Sequence, residues 1–282
     1  MAYGDAHHAR AGLSTSIQVL LVLVQSLESR GPVIVVGLGE LGSWFAHGLL
    51  RAGHPVIPVT RSMSFSQEQR GRAPGTPLLV AVPEAQLPAV LAQVEPDRRG
   101  DVMLVQNATF RGDALLQGWP DVTWAMVWTL RKKGMPQLVG QPTVLWGPHA
   151  ETLRDAQQQV GMPTLVAGSS LELDQWLATK FAFILTISAM SLAGATTLGD
   201  AMDRHSDAVE AWIMEGLALA SVRLDDLLPV EPARQRIREG LHNMRAMPTG
   251  GRAAAGRIVA ALELAGAHGI DAPALRRLAL PS

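Results

Sequence analysis

Two features of this 282-residue sequence could do chemistry, and they lie far apart in the chain. The first is Gly37-Leu38-Gly39-Glu40-Leu41-Gly42, which follows the apolar run GPVIVV and opens a helical stretch. In that context Gly37 makes a tight turn, Gly39 lets the backbone approach a pyrophosphate, and Gly42 allows close helix–strand packing. The helix N-terminus adds free N–H groups and a partial positive charge. The second is Lys180, inside the apolar run WLATKFAFIL at residues 176–185. On a helix its neighbours three and four residues on are Phe183 and Ile184. A lysine stem held among apolar side chains pairs with an acid, snorkels to water, or is kept for chemistry. Glu172 and Asp174 offer the plainer alternative of helix N-terminal charges.

The end of the second apolar run selects the nucleotide. An NAD site places an Asp or Glu there to hold the ribose 2′-hydroxyl. From Ser43 through Gln67 the chain has no acidic residue, and Thr60-Arg61-Ser62 stands at that end instead. A guanidinium between two hydroxyls suits a 2′-phosphate, so NADP(H) is the expected cofactor.

Composition narrows the rest. A formal net charge of −1 gives no electrostatic reason to expect nucleic acid or an anionic membrane. Zero cysteine removes disulfides, thiolate nucleophiles and Cys-ligated metals together. No GxSxG elbow or P-loop is present, and the scattered histidines have no i, i+4 metal spacing, so no metal site is expected. Only three lysines occur, Lys132, Lys133 and Lys180, leaving arginine to supply 21 of the 24 cations.

These residues need elements to position them. Thirteen of the 18 prolines lie at or before Pro163, and none occurs from Thr164 to Leu228. The first part predicts strands at 31–36, 56–60, 77–82, 102–106, 122–128 and 142–146, with helical connectors at 41–52, 87–94 and 112–116. Runs apolar on both faces suit a parallel sheet covered by helices. Helices are predicted beyond it at 171–194, 202–226, 232–244 and 252–267. The expected fold is an α/β Rossmann-type domain at residues 31–168, followed by an all-α domain at 169–282. Residues 1–30 read as an extension with a helix from Ser14. The uncharged stretch 181–199 could tempt a membrane reading, but its polar residues and bounding Lys180 and Asp200 favour a buried helix. A cytoplasmic protein that does not engage a membrane is expected.

In detail these residues resemble the ketopantoate reductases (2-dehydropantoate 2-reductases), or a close relative in the wider 6-phosphogluconate-dehydrogenase-like group, from about Val33 onward. VIVVGLGELG and GHPVIPVTR match that family's first two strands and its NADP-reading arginine, here Arg61. Residues 80–86, VAVPEAQ, resemble the third-strand motif, which implies that Val82 and Gln86 lie along the cofactor; Pro83 stands where the family has Lys. LVQN, residues 104–107, resembles the LQNG turn, which implies that Asn107 lies near nicotinamide and substrate; Ala108 replaces the Gly. Lys180 through Asp200 parallels the helix running from the catalytic lysine to an LGE-type end, here Leu198-Gly199-Asp200. The resemblance thus implies that Lys180 polarises a keto oxygen and donates the proton as hydride arrives at carbon. Trp128 ends a strand near the same edge as Asn107.

The departures fall at the substrate. Ile184 and Ser188 stand where the family has Asn, and TGGRAAAG at 249–256 stands where TEIDYING is typical. Gly250 thereby replaces a substrate-binding Glu and Ala255 an Asn, while Glu239-Gly240-Leu241 replaces a Ser-rich motif. Ser188 and Asn243 remain as candidate substrate contacts. The expected activity is NADP(H)-dependent hydride transfer to a carbonyl or imine of a small, less polar substrate, in a homodimer. Two alternatives stay open: a catalytically degenerate NADP(H)-binding sensor or partner subunit, and a relative of the 6-phosphogluconate or prephenate dehydrogenases.

Overall fold

The computed structural model describes residues 30–106, 113–119, 122–130, 137–224, 227–250 and 253–279. The helix expected in residues 1–30 and the catalytic candidate Asn107 lie outside these. The sheet has the order β2-β1-β3-β4-β5-β8-β9, where β1 is Val33–Val36, β2 Val56–Val59, β3 Leu78–Val80, β4 Val102–Leu104, β5 Thr123–Met126, β8 Thr143–Trp146 and β9 Thr164–Val166. A two-stranded ribbon, β6 (Thr129–Leu130) and β7 (Leu138–Val139), stands beside it. The mostly parallel sheet and the helical second half bear out the expected fold class.

Strand side chains alternate between the two faces, and each face meets a different layer. Val33, Val35, Leu79, Met103, Ala125 and Leu145 pack with Trp44, Phe45 and Leu49 of α1 (Glu40–Arg51) and with Leu153 and Ala156 of α4 (Ala150–Gln158). Gly48 of α1 is required there, because a Cβ would sit 2.4 Å from the Ala156 carbonyl oxygen. The opposite face, with Ile34, Val36, Val80, Leu104, Trp124 and Met126, packs into one core with the C-terminal helices. Short helices α2 (Phe65–Arg70) and α3 (Leu87–Leu91) lie in the crossovers around β3.

The strand at 142–146 forms, but it runs antiparallel to β5. Parallel neighbours need a long crossover, whereas the described part of the β5–β8 connection is the β6/β7 ribbon. The next connection does contain a helix, α4, and β9 accordingly runs parallel to β8.

The C-terminal half is built round α5, Ser170–Leu192, whose N-terminus is capped by the Ser169 hydroxyl accepting from the Glu172 N–H. This helix is apolar on nearly every side, as a helix enclosed by others must be. It is long and apolar enough to cross a membrane, yet about two thirds of that stretch is buried inside the fold. It packs against α7 (Ser206–Val222), α8 (Val230–Asn243) and α9 (Ala254–His268); α10 (Pro273–Ala279) closes the bundle. The helix predicted over 202–226 is in fact two, α6 (Leu198–Arg204) and α7, broken at His205. Thr197 caps α6, and Asp200 pairs with Arg204 within it, so this short helix is closed at both ends before the chain turns.

Candidate active site

In open α/β sheets, ligands bind at the carboxyl ends of the strands where the strand order reverses. Here β1 leads outward to β2, and the chain then returns across β1 to β3, so the crevice opens between Gly37 and Ala81. Gly37 adopts φ +89°, and a Cβ on it would lie 2.6 Å from the Ala81 carbonyl oxygen. A Cβ on Gly42 would lie 1.8 Å from the Gly37 carbonyl oxygen, so the first turn of α1 rests directly on the loop. Gly39 differs, since a Cβ there would meet no protein atom within 4 Å. The fold requires two of the three glycines and leaves the third open to the crevice. No side chain caps α1, so its first N–H groups face the crevice as donors.

A cleft of about 610 Å³ follows this turn, lined by Gly37, Leu38, Gly39, Thr60, Arg61, Val82 and Gln86 among others. The Thr60 and Ser62 hydroxyls lie 3.2 Å apart at the end of β2. Arg61 makes no ion pair with any described residue. The glycine loop and the uncapped helix fit the pyrophosphate of a dinucleotide. Glu40 and Leu41 sit in the first turn of α1, Glu40 exposed to solvent and Leu41 lining the next cleft along.

That second cleft, about 390 Å³, shares Val82 and Pro83 with the first. Its far wall is one stripe of α5: Lys180, Phe183, Ile184 and Ile187, the i, i+3, i+4, i+7 face of a helix. Trp128, Thr129, Leu130, Met244 and Met247 line the cleft beside this stripe, and the charged Glu84 and Arg257 stand at its exposed edge. Gln106 lies at its floor, donating from Nε2 to the Val82 carbonyl at 2.9 Å and so tying the end of β4 to the loop after β3.

Lys180 is 6% exposed and has no hydrogen bond or ion pair among the described residues. Its Nζ lies over two aromatic faces, 4.2 Å from the Trp128 ring centroid and 4.8 Å from that of Phe183. Burial pushes its pKa down from the ordinary lysine value to about 7. The two rings are themselves fixed. They pack 4.7 Å apart, Trp176 meets Trp128 edge-on at 6.3 Å, and Arg236 lies over Trp176 at 4.2 Å. Among the described residues the buried Trp128 Nε1–H has no hydrogen-bond partner, and neither has the buried Thr129 hydroxyl beside it.

The other substrate candidates lie elsewhere. Ser188 is 2% exposed, its hydroxyl donating to the Ile184 carbonyl at 2.8 Å, and it does not line the cleft. Eight residues at about 100° each rotate it roughly 80° from Lys180, off the stripe. The Asn243 amide donates to the Gly140 carbonyl at 3.0 Å, and the Gly140 N–H in turn donates to the Trp128 carbonyl at 2.8 Å. Asn243 therefore braces the strand end that carries Trp128. Gly250 and Ala255 are exposed and outside the cleft lining. Sequence reasoning missed Gln106, Thr129 and the two methionines. Only Gln106 carried a signal, through its place beside Asn107.

The fold is that of the ketopantoate reductases. The 2-dehydropantoate 2-reductase of Methylococcus capsulatus superposes with a TM-score of 0.61 at 17% identity, over 88% of this chain and 94% of that one. A dimeric ketopantoate reductase of Staphylococcus aureus gives 0.60 at 15%, over 88% and 96%. A D-mandelate dehydrogenase bound to NADH and anilino(oxo)acetate gives 0.60 at 13%, over 88% and 96%. No protein-family model and no curated protein sequence matches the chain.

Proposed function

We propose that this protein is an NADP(H)-dependent oxidoreductase resembling ketopantoate reductase, acting on the carbonyl or imine of a small, largely apolar substrate. The observation that carries the proposal is the junction of two clefts at Val82 and Pro83, one starting at the glycine turn and the other ending on Lys180.

In this reading the Gly37–Gly42 backbone and the α1 N-terminus hold the pyrophosphate, and Thr60, Arg61 and Ser62 hold the 2′-phosphate. Val82 and Gln86 flank the dinucleotide, and Asn107 is the residue that the resemblance to the ketopantoate reductases assigns to nicotinamide and substrate. The bound cofactor supplies the hydride. Lys180 orients the reacting oxygen or nitrogen by hydrogen bonding and holds the proton at Nζ that this atom takes up. A lysine titrating near neutrality suits that task, because both of its protonation states are accessible. The aromatic faces of Trp128 and Phe183 shield Nζ from water and strengthen the interaction.

Residues 31–168 form the cofactor-binding part in this reading, residues 169–282 the helical substrate and dimerisation part, and residues 1–30 an extension. A cytoplasmic homodimer is the expected form, and the S. aureus neighbour is described as dimeric. The test is NADPH oxidation against a panel of ketones, 2-oxo acids and imines, with Lys180→Ala alongside. Turnover lost in the variant supports the reading; equal rates in both proteins overturn it.

A second reading, an NADP(H)-binding protein without turnover, rests on one observation. The side chains of Ser188 and Asn243 are engaged elsewhere, which leaves few polar groups facing Lys180. It requires tight NADPH binding with no oxidation by any carbonyl.

A further inference from the structure

The cleft at Lys180 does not end at α5. Beyond Glu84, Ile184 and Arg257, which line both spaces, a side pocket of about 190 Å³ opens between α5 and α9. Its walls are apolar apart from its rim: Phe181 and Leu185 on one side, Ala260, Ala261 and Leu264 on the other. Arg223 stacks on Phe181 at 5.3 Å and is paired with Asp113, so its charge is already engaged. Arg257 is in a different state. It is exposed, it stands where the two spaces join, and its guanidinium makes no ion pair, hydrogen bond or ring contact with any described residue. Glu84 faces the same junction but lies beyond ion-pair distance of Arg257.

The position along the helix matters. The side pocket begins at Ile184, four residues past Lys180, a rise of about 6 Å. A substrate that meets Nζ with its carbonyl oxygen and runs along α5 past Ile184 brings an anionic far end, carried on an apolar spacer, to the junction where Arg257 stands.

Resting on the reductase reading above, we propose that the substrate carries an anionic group remote from its carbonyl: Arg257 binds the anion, and the apolar body lies along Ile184 toward the side pocket. A planar guanidinium suits a carboxylate, which it can grip through two parallel hydrogen bonds. Specificity then comes from the length between the two polar ends.

Two measurements test this separately from the reductase reading. The first is binding of 4-phenylbutyrate, which has no carbonyl to reduce, followed by tryptophan fluorescence in wild type, Arg257→Gln and Glu84→Gln with NADPH present. Arg257→Gln is expected to weaken binding at least tenfold. Glu84→Gln is expected to tighten it, because a like charge is removed. The second is NADPH oxidation with 4-oxo-4-phenylbutanoate, phenylglyoxylate and acetophenone, where the first is expected to be the best substrate by tenfold or more in kcat/KM. Binding of 4-phenylbutyrate that is absent, or indifferent to Arg257→Gln, overturns the anion site, as does a preference for phenylglyoxylate. Arg257-dependent binding with no NADPH oxidation by any of the three keeps the anion site and overturns the reductase reading instead.

Discussion

Lys180 is held by surfaces rather than by charges. The faces of Trp128 and Phe183 favour an ammonium by about 2 kcal/mol when water is excluded, but the loss of hydration outweighs them and the pKa falls to about 7. An unfolded lysine titrates near 10.5, so between about pH 7 and 10.5 the unfolded chain binds more protons than the folded one, and stability rises with pH across that window. Below about pH 7 the destabilisation is present in full. Lys180→Met is therefore expected to raise stability by a few kcal/mol in denaturant titrations at about pH 6, with a much smaller gain at about pH 10. Catalysis should respond in the opposite sense. Carbonyl reduction needs the charged form and is expected to fall above about pH 7, while the reverse oxidation rises; profiles of kcat in both directions check this. The lysine was legible in the sequence because a charge in an uncharged helical run is conspicuous. The side chains of Ser188 and Asn243 turn away from the cleft, because register in a motif does not fix which way a helix faces. A shift of about 80° turned one hydroxyl into its own helix, and the other side chain found a carbonyl to brace.

At the scale of elements, the proposed function gives the strand–turn–helix at 33–51 two jobs, folding and cofactor binding, that single substitutions separate. Gly42→Ala forces a Cβ against the Gly37 carbonyl and is expected to cost about 1–3 kcal/mol of stability together with cofactor binding. Gly39→Ala meets no protein atom, so its stability should stay within about 1 kcal/mol of wild type. Its NADPH affinity should nevertheless fall by tenfold or more. Calorimetry with fluorescence titration of both variants reads the difference, and equal affinity in Gly39→Ala removes the turn from the cofactor site. This unit could be seen in the sequence because its demands are local: a positive φ at Gly37, a close contact at Gly42 and an apolar strand before them. The antiparallel β8 could not. Its apolar run looks the same in either direction, and the orientation depends on a connection that contains a ribbon instead of a helix. The break at His205 was hidden for a related reason, since the helical periodicity of the sequence continues through it.

At the scale of the whole molecule, the sheet and the helical bundle meet along one line of clefts, from Arg61 at the end of β2 to Arg257 on α9. Arg61 has no described ion-pair partner, so Arg61→Ala should leave the fold intact. It is expected to weaken NADPH at least tenfold while changing NADH little; a loss of equal size for both cofactors contradicts the 2′-phosphate assignment. The apolar α5 at the centre of the bundle makes Lys180 the meeting point of the two halves. The most direct test of that role is steady-state NADPH oxidation with 4-oxo-4-phenylbutanoate at about pH 7, comparing wild type with Lys180→Met after NADPH binding has been verified for both. The expected result is turnover in the wild type and a fall of about 10²–10⁴-fold in the variant with cofactor affinity preserved. Equal rates in the two proteins, or NADPH bound by both and oxidised by neither, would contradict it.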